Sequence, residues 1–375
     1  MLLHRQLSGK ITEALLQSGK IILLYGPRQA GKTTLSKEVI MSTGLKTLSI
    51  NADQLKYIDI LSSRDLSKLQ SLVSGYELLF IDEGQRVPEI GINLKILHDE
   101  IPHLKILVTG SSSFLLSDRV TEALTGRKMI FTLLPVSVAE LRQSFNPFEM
   151  NDQLDDRLIY GCYPEVITTM NASAREELLN DISTSYIFKD ILEMENIRYP
   201  LKIREILKLL AHQAGSEVSI NELCRTTGLN RETVERYLHL MEQSFIIFRL
   251  AAYSRNPRNE INKSQKFYFY DNGIRNSIID NLKPVHNRTD TGVLWENFMI
   301  SEMIKKQHNT RQLANHYFWR TYSGSEIDLV REVQGQLIPY EIKLNKVRKT
   351  APKAWTDNYG SEFYCITRDN YLDFV

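Results

Sequence analysis

Gly26-Pro27-Arg28-Gln29-Ala30-Gly31-Lys32-Thr33 is the stretch on which the reading of this chain turns. It follows the apolar run Ile21-Ile22-Leu23-Leu24-Tyr25 and opens a helix-favouring segment from Thr34 to Ile40. Strand, glycine-bracketed loop, Lys-Thr and helix together make the context of a phosphate-binding P-loop. A buried strand delivers the loop, and backbone N–H groups at the positive end of the following helix wrap the phosphates. Gly26, Pro27, Arg28, Gln29, Ala30, Gly31, Lys32, Thr33 and Thr34 are the expected cradle. Lys32 supplies a cation for the β- and γ-phosphates, and the Thr33 hydroxyl offers a ligand to Mg²⁺.

Around that loop, short apolar runs alternate with helical patterns. The runs are Ile21–Tyr25, Thr47–Ile50, Leu78–Asp82, Lys105–Thr109 and Met129–Leu133. Each has the length of a buried strand, which predicts a parallel sheet covered on both faces. Leu78-Leu79-Phe80-Ile81-Asp82-Glu83 runs an apolar strand into two acids. Asp82 suits the carboxylate that holds Mg²⁺, directly or through water, and Glu83 suits a general base for the attacking water. Leu107-Val108-Thr109-Gly110-Ser111-Ser112-Ser113 ends another strand in hydroxyls. Ser111 is the first candidate to sense the γ-phosphate of ATP and Thr109 the second; a plain Gly/Ser turn is the other reading. Arg119 and Arg127 follow. Arg127 precedes a strand, where it is expected either to reach a neighbouring subunit's phosphates or to lie solvated on the surface.

These motifs resemble the AAA-type ATPases of bacteria and archaea, and within them the group fused to a C-terminal domain of unknown function. Gly126-Arg127, Leu134-Pro135-Val136-Ser137, Glu140-Leu141 and Gly161-Cys162-Tyr163-Pro164-Glu165 extend the resemblance over nearly the whole chain. Gly84 departs from it, replacing the family's usual apolar residue after the acids. The resemblance implies rings or dimers in which a neighbour's arginine completes the site, hence a homo-oligomer.

Composition bounds the remaining classes. A 375-residue chain is long enough for two or three domains. A formal charge of +1 excludes a globally basic nucleic-acid binder while leaving room for a local basic face. Cys162, Cys224 and Cys365 are too widely spaced for a metal or redox pair and read as reduced thiols, consistent with a cytoplasmic protein. No apolar run approaches the ~20 residues of a membrane span.

The expected architecture is α/β: a P-loop NTPase parallel sheet in residues 1–140, a helical lid in 141–200, a winged helix in 201–252 and a restriction-endonuclease-like α/β domain in 253–375. Helical spacing in Ala174–Glu195 supports the lid over the nucleotide cleft, with Asp181, Asp190, Glu193 and Glu195 as a solvated face. Ser219-Ile220-Asn221-Glu222-Leu223, the Gly228-Leu229-Asn230 turn and a helix from Arg231 to Gln243 have helix-turn-helix spacing. Phe245–Ala251 supplies a wing strand. Asn230, Arg231, Thr233, Arg236 and Tyr237 suit phosphates and base edges in DNA. Glu232 and Glu235 oppose DNA, and a protein–protein joint is the alternative use of such a module.

Between Ser254 and Arg288, the cations Arg255, Arg258, Lys263, Lys266, Arg275, Lys283 and Arg288 are interleaved with Phe267, Tyr268, Phe269 and Tyr270. That mixture suits nucleic acid, and it suits equally an alternating strand packed on its neighbours. The sharper pattern comes later. Glu296 stands near the start of a helix, Asp328 in the strand Glu326-Ile327-Asp328-Leu329-Val330, and Glu341 and Lys343 in Glu341-Ile342-Lys343. This order resembles the constellation of restriction-endonuclease-like nucleases, although Ser325-Glu326-Ile327 stands before the aspartate where that family has Pro-Asp. Asp328 and Glu341 would share a divalent metal, Lys343 would orient the nucleophile, and Glu296 would complete the acidic cluster. Lys346, Arg348, Lys349 and Lys353 could hold a duplex backbone. The functions in view are an ATPase whose C-terminal module binds and cuts DNA, a DNA-binding regulator that does not cut, and an ATP-gated protein adaptor.

Overall fold

The computed structural model describes residues 3–110, 122–186, 191, 197–254, 264–360 and 362–375. Ser111 and Arg119 lie outside these residues, as do Asp190, Glu193, Glu195, Arg255, Arg258 and Lys263. The chain divides into two compact units, Met1–Leu134 with Tyr186–Asn196 and Pro135–Ser185 with Ile197–Val375.

The first unit holds a five-stranded sheet: β1 (Ile21–Tyr25), β2 (Thr47–Asn51), β3 (Leu78–Asp82), β4 (Lys105–Thr109) and β5 (Lys128–Thr132). Its order is β2-β3-β4-β1-β5, with every pairing parallel. β4 thus separates the P-loop strand β1 from the acidic strand β3. β1, flanked by β4 and β5, is buried on both faces, which explains its unbroken apolar sequence. Ile21, Leu23 and Tyr25 enter one core with Leu69, Leu94 and Leu97, while Ile22 and Leu24 enter another with Leu7, Ile11 and Val39. Helices Leu7–Gln17 and Lys32–Thr43 therefore cover one face, and Leu66–Val73 and Ile90–Glu100 the other. β5 begins and ends one residue earlier than its sequence predicts, so Leu133 lies just past it.

The second unit is a seven-stranded mixed sheet with helices. Its strands are β6 (Glu217–Val218), β7 (Ile247–Ala252), β8 (Gln265–Phe269), β9 (Asn315–Arg320), β10 (Glu326–Val333), β11 (Gln336–Ile342) and β12 (Tyr364–Ile366), in the order β12-β11-β10-β9-β7-β8-β6. Helix Thr291–Thr310, the antiparallel strands β9, β10 and β11, helix Lys353–Tyr359 and a β12 parallel to β11 follow in sequence. Helices Pro200–His212, Ile220–Thr227 and Arg231–Gln243 precede β7, as the helix-turn-helix spacing predicts. Gly228 ends the second of these at φ +72°, a left-handed conformation that suits glycine. The Asn230 side chain caps the third by accepting from Thr233 N–H at 2.8 Å. Tyr237 is only 1% exposed, so it is a core residue and not part of the surface expected to face DNA.

Two expected boundaries move. β7 pairs in parallel with β9 through Ala251↔Tyr317 and Ala252↔Phe318, so the stretches 201–252 and 253–375 share one sheet. Most of the expected lid belongs to this unit as well. The Asn276 amide donates to the Leu158 and Ile159 carbonyls at 3.0 and 2.8 Å, fixing helix Leu154–Tyr160 to helix Asn272–Ile278. These buried carbonyls terminate a helix and need a partner, which the Asn276 side chain supplies. Among the described residues no helix is long and apolar enough to cross a membrane.

Candidate nucleotide site and C-terminal carboxylate cluster

The P-loop leaves β1 through backbone that few residues adopt. Gly26, Gln29 and Gly31 have φ of +147°, +61° and +94°. A Cβ on Gly26 would lie 2.0 Å from the Leu133 carbonyl oxygen, so no larger residue fits there without moving backbone. Lys32 is 6% exposed, and its ammonium donates to the Gly26 and Pro27 carbonyls at 2.8 and 2.9 Å. It is thus held across the loop that its chemistry would serve.

β3 and β4 bring the acids to the same place. The Thr33 hydroxyl donates to one Asp82 carboxylate oxygen at 2.9 Å, and the Thr109 hydroxyl donates to the other. The Glu83 N–H donates to the Thr109 hydroxyl at 3.1 Å, and the Gln85 amide donates to the Glu83 carboxylate. Glu83 sits at φ +57°, a left-handed turn at the strand end, with Gly84 opening a short 3-10 turn behind it. Thr109, the second choice from sequence for a γ-phosphate sensor, is therefore built into the acidic network. Thr33 and Asp82 form the oxygen donor set that Mg²⁺ accepts when it keeps waters and phosphate ligands.

Arg127 stands elsewhere in its own chain. The register Ile21↔Lys128 to Tyr25↔Thr132 puts it at the opposite end of the strands from Gly26. Its guanidinium grips Asp99 with two bonds, 2.7 and 3.0 Å long. Hydrogen bonds from Arg127 and His98 hold the Asp99 carboxyl down to about 2.

In the second unit Asp328, Glu341 and Lys343 meet as the sequence predicts. Both carboxylates are 5% exposed, and the Lys343 ammonium lies 3.1 Å from Asp328 and 3.2 Å from Glu341. Asp328 also accepts the Ile342 N–H at 2.7 Å, and Arg348 approaches Glu341 at 3.4 Å. One Glu341 oxygen is buried without a hydrogen-bond partner, a costly state that an added cation would relieve. Burial, and then the charge of Asp328, raise the Glu341 carboxyl. Burial would lower Lys343, but Asp328 and Glu341 outweigh it and raise the ammonium. Among the described residues no group of three or more His, Cys, Asp or Glu is arranged to hold a metal ion. The orphaned Glu341 oxygen with Asp328 fits at most a two-carboxylate site.

Glu296 joins this cluster through partners that the sequence reading did not assign to it. The Tyr268 hydroxyl donates to it at 2.7 Å and the Lys266 ammonium lies 3.8 Å away, while Lys266 also pairs with Glu326. Lys266, 3% exposed, stands over the Phe318 ring at 5.2 Å. Burial and the charge of Asp328 push the Glu296 carboxyl up to about 7 against the pull of Lys266. The i, i+2 spacing of Lys266 and Tyr268 on β8 was the available signal. It could be used only once β7, and with it β8, was known to join this sheet.

Residues 18–142 match the model of an AAA domain, 151–284 a Domain of unknown function (DUF8612) and 291–365 a Domain of unknown function (DUF4143). Over its first third the chain is thus similar to AAA domains, and over the rest to domains of unknown function. It is 28% identical over 350 residues to an uncharacterized protein of Mycobacterium tuberculosis, covering 92% of this chain and 74% of that one. An uncharacterized protein of Methanocaldococcus jannaschii is 25% identical over 357 residues, with coverages of 90% and 78%. Among solved structures, the Walker-type ATPase of Pyrococcus abyssi is similar at 16% identity and a TM-score of 0.48, over 74% of this chain and 96% of that one.

Proposed function

We propose that this protein binds and hydrolyses ATP with Mg²⁺ at the P-loop, and that its second unit is a DNA-binding module built on a winged helix and a restriction-endonuclease-like fold. The observation that carries the ATPase reading is the network Thr33–Asp82–Thr109–Glu83 beside the loop. Mg²⁺, when bound, would neutralise phosphate charge between the Thr33 hydroxyl and Asp82. Lys32 would exchange the Gly26 and Pro27 carbonyls for phosphate oxygens. Thr109 would orient Glu83, whose carboxylate would take the proton of the attacking water. Ser111 is a further candidate for the γ-phosphate. Arg127, tied to Asp99 in its own chain, would act only toward a neighbouring copy, in a cytoplasmic homo-oligomer.

For the second unit, Asp328 and Glu341 would hold a divalent ion, with Lys343 and Glu296 beside the phosphodiester. A specific observation favours the non-cutting alternative: the Lys343 ammonium already bridges the two carboxylates, the place an ion would take. One experiment separates these readings. Plasmid is incubated with the protein and Mg²⁺ or Mn²⁺, with and without ATP, while phosphate release is followed. Cutting lost in Glu341→Ala but kept in Lys32→Ala supports an independent nuclease. Phosphate release and salt-sensitive DNA binding without cutting support a regulator. Phosphate release with neither supports an adaptor, and no phosphate release with an intact fold removes the ATPase reading.

A further inference from the structure

Arg5 lies in a polar N-terminal stretch to which the sequence assigns no role. It is nonetheless 5% exposed. Its guanidinium donates to the P-loop carbonyl of Ala30 at 2.7 Å and to the carbonyl of Leu134 at 2.6 Å. Leu133 N–H donates to Tyr25 at 2.7 Å, and the Leu133 carbonyl occupies the space a Gly26 side chain would need. The loop is therefore fastened at both ends to the two residues with which the chain leaves the ATPase unit.

Just beyond the Leu134–Pro135 peptide bond, Val136, Ser137, Val138 and Glu140 are fastened just as firmly within the second unit. Val138 N–H donates to Glu302 at 2.6 Å, and Lys305, paired with Glu302 at 2.8 Å, donates to the Val136 carbonyl at 3.4 Å. Asn309 donates to the Ser137 hydroxyl at 3.1 Å, and Val136 N–H donates to the Cys162 carbonyl at 2.9 Å. Ser137 and Glu140 close a capping box. Glu302, Lys305 and Asn309 are all on helix Thr291–Thr310, which also carries Glu296 and Trp295. Buried polar groups satisfied this completely resist local rearrangement, so strain at the junction is passed on rather than absorbed.

We propose that Arg5 is a positioning residue for the nucleotide site, and that it couples the P-loop through the Leu134–Pro135 junction to helix Thr291–Thr310. The proposal rests on the ATP-binding reading. A planar guanidinium bridges two carbonyls, which a lysine ammonium of the same charge does not reproduce in a fixed geometry. Phosphates that draw Lys32 off Gly26 and Pro27 shift the loop, and Arg5 carries that shift to Leu134.

All three tryptophans, Trp295, Trp319 and Trp355, lie in the second unit. Their emission on adding unlabelled ATP with Mg²⁺ reports the second unit, while a fluorescent ATP analogue reports binding at the first. The comparison uses the full chain, Arg5→Lys, and a variant with two glycines inserted between Leu134 and Pro135, each checked for an intact fold by circular dichroism. The wild type should show an emission change that saturates with nucleotide binding. Arg5→Lys should bind about tenfold more weakly and lose most of the emission change even at saturation. The glycine insertion, which leaves both anchors in place, should keep the affinity and lose the emission change. Wild-type affinity with an undiminished emission change in Arg5→Lys, or a full response through the inserted glycines, overturns the proposal. A wild type that binds nucleotide without an emission change overturns it too, whereas no binding at all overturns the ATP-binding reading first.

Discussion

The P-loop site and the carboxylate cluster solve the same problem, gathering charge out of water, by opposite means. The P-loop is mostly backbone: Gly26, Gln29 and Gly31 in left-handed or otherwise restricted conformations, with one lysine satisfied by the loop's own carbonyls. The cluster is side chains, from β8, β10, β11 and two stretches beside them, with Lys266, Lys343 and Arg348 set against Glu296, Glu326, Asp328 and Glu341. Backbone sites need specific residues at consecutive positions, so they are written as contiguous motifs. Side-chain clusters need only charge and reach, so their members scatter through the chain and other charges can stand in for the absent ligand. Such buried ion pairs occur in structural networks as well as in active sites.

The comparison can be broken most sharply at Lys32. Lys32→Ala should lower ATP hydrolysis by about a thousandfold or more, read by phosphate release, because the Lys32 ammonium, held on the Gly26 and Pro27 carbonyls, is the cation placed for the phosphates. A variant with near wild-type turnover would mean the P-loop is a structural turn. Glu83→Gln should cost about 10²–10⁴-fold in turnover while leaving nucleotide affinity nearly unchanged, as expected for a proton acceptor and not a binding group. Loss of affinity equal to the loss of rate would assign Glu83 to binding. Gly26→Ala should destabilise the first unit by about 1–3 kcal/mol, since its Cβ collides with the Leu133 carbonyl, and thermal melting measures this directly.

The smallest effect tests the ionic cluster of Asp290 with Arg275 and Arg288, which are 2% and 8% exposed and so not on the face the sequence offered to nucleic acid, as a control for the carboxylate cluster. Burial alone would raise Asp290, but hydrogen bonds from Arg288 and Arg275 prevail and hold its carboxyl down to about 2. A folded value below the unfolded one stabilises the protein above the unfolded value, and that contribution is lost as pH falls from about 4 to about 2. Discounted for its partial exposure, it should amount to about 1–2 kcal/mol. Urea unfolding of wild type and Asp290→Asn should therefore differ near neutrality and converge in acid. A difference that stays constant with pH would mean the aspartate contributes shape and not charge.

Much of the fold was legible because each signal was local. The five strands of the first sheet follow from apolar runs of strand length, and the P-loop from residues adjacent in sequence. Asp82 and Glu83 were legible as a strand end, and the Asn230 cap as a polar residue before a helix. Asp328, Glu341 and Lys343 were found from their order and spacing. Tyr237 was misassigned to a surface because a helix-turn-helix pattern does not say which tyrosine its core consumes. The lid was expected over the nucleotide because helical periodicity carries no address; hydrogen bonds donated by the Asn276 amide tie most of it into the other unit.

By itself the sequence determined the P-loop, the parallel strands and the acids at their ends, since each depends on backbone conformation and periodicity within a few residues. Only the tertiary structure decided that β7 pairs with β9, which brings Lys266 and Tyr268 to Glu296, and that Arg5 fastens the P-loop to Leu134 across 129 positions. Such contacts are fixed by which buried polar groups find partners once the cores have packed, and no local pattern records that choice.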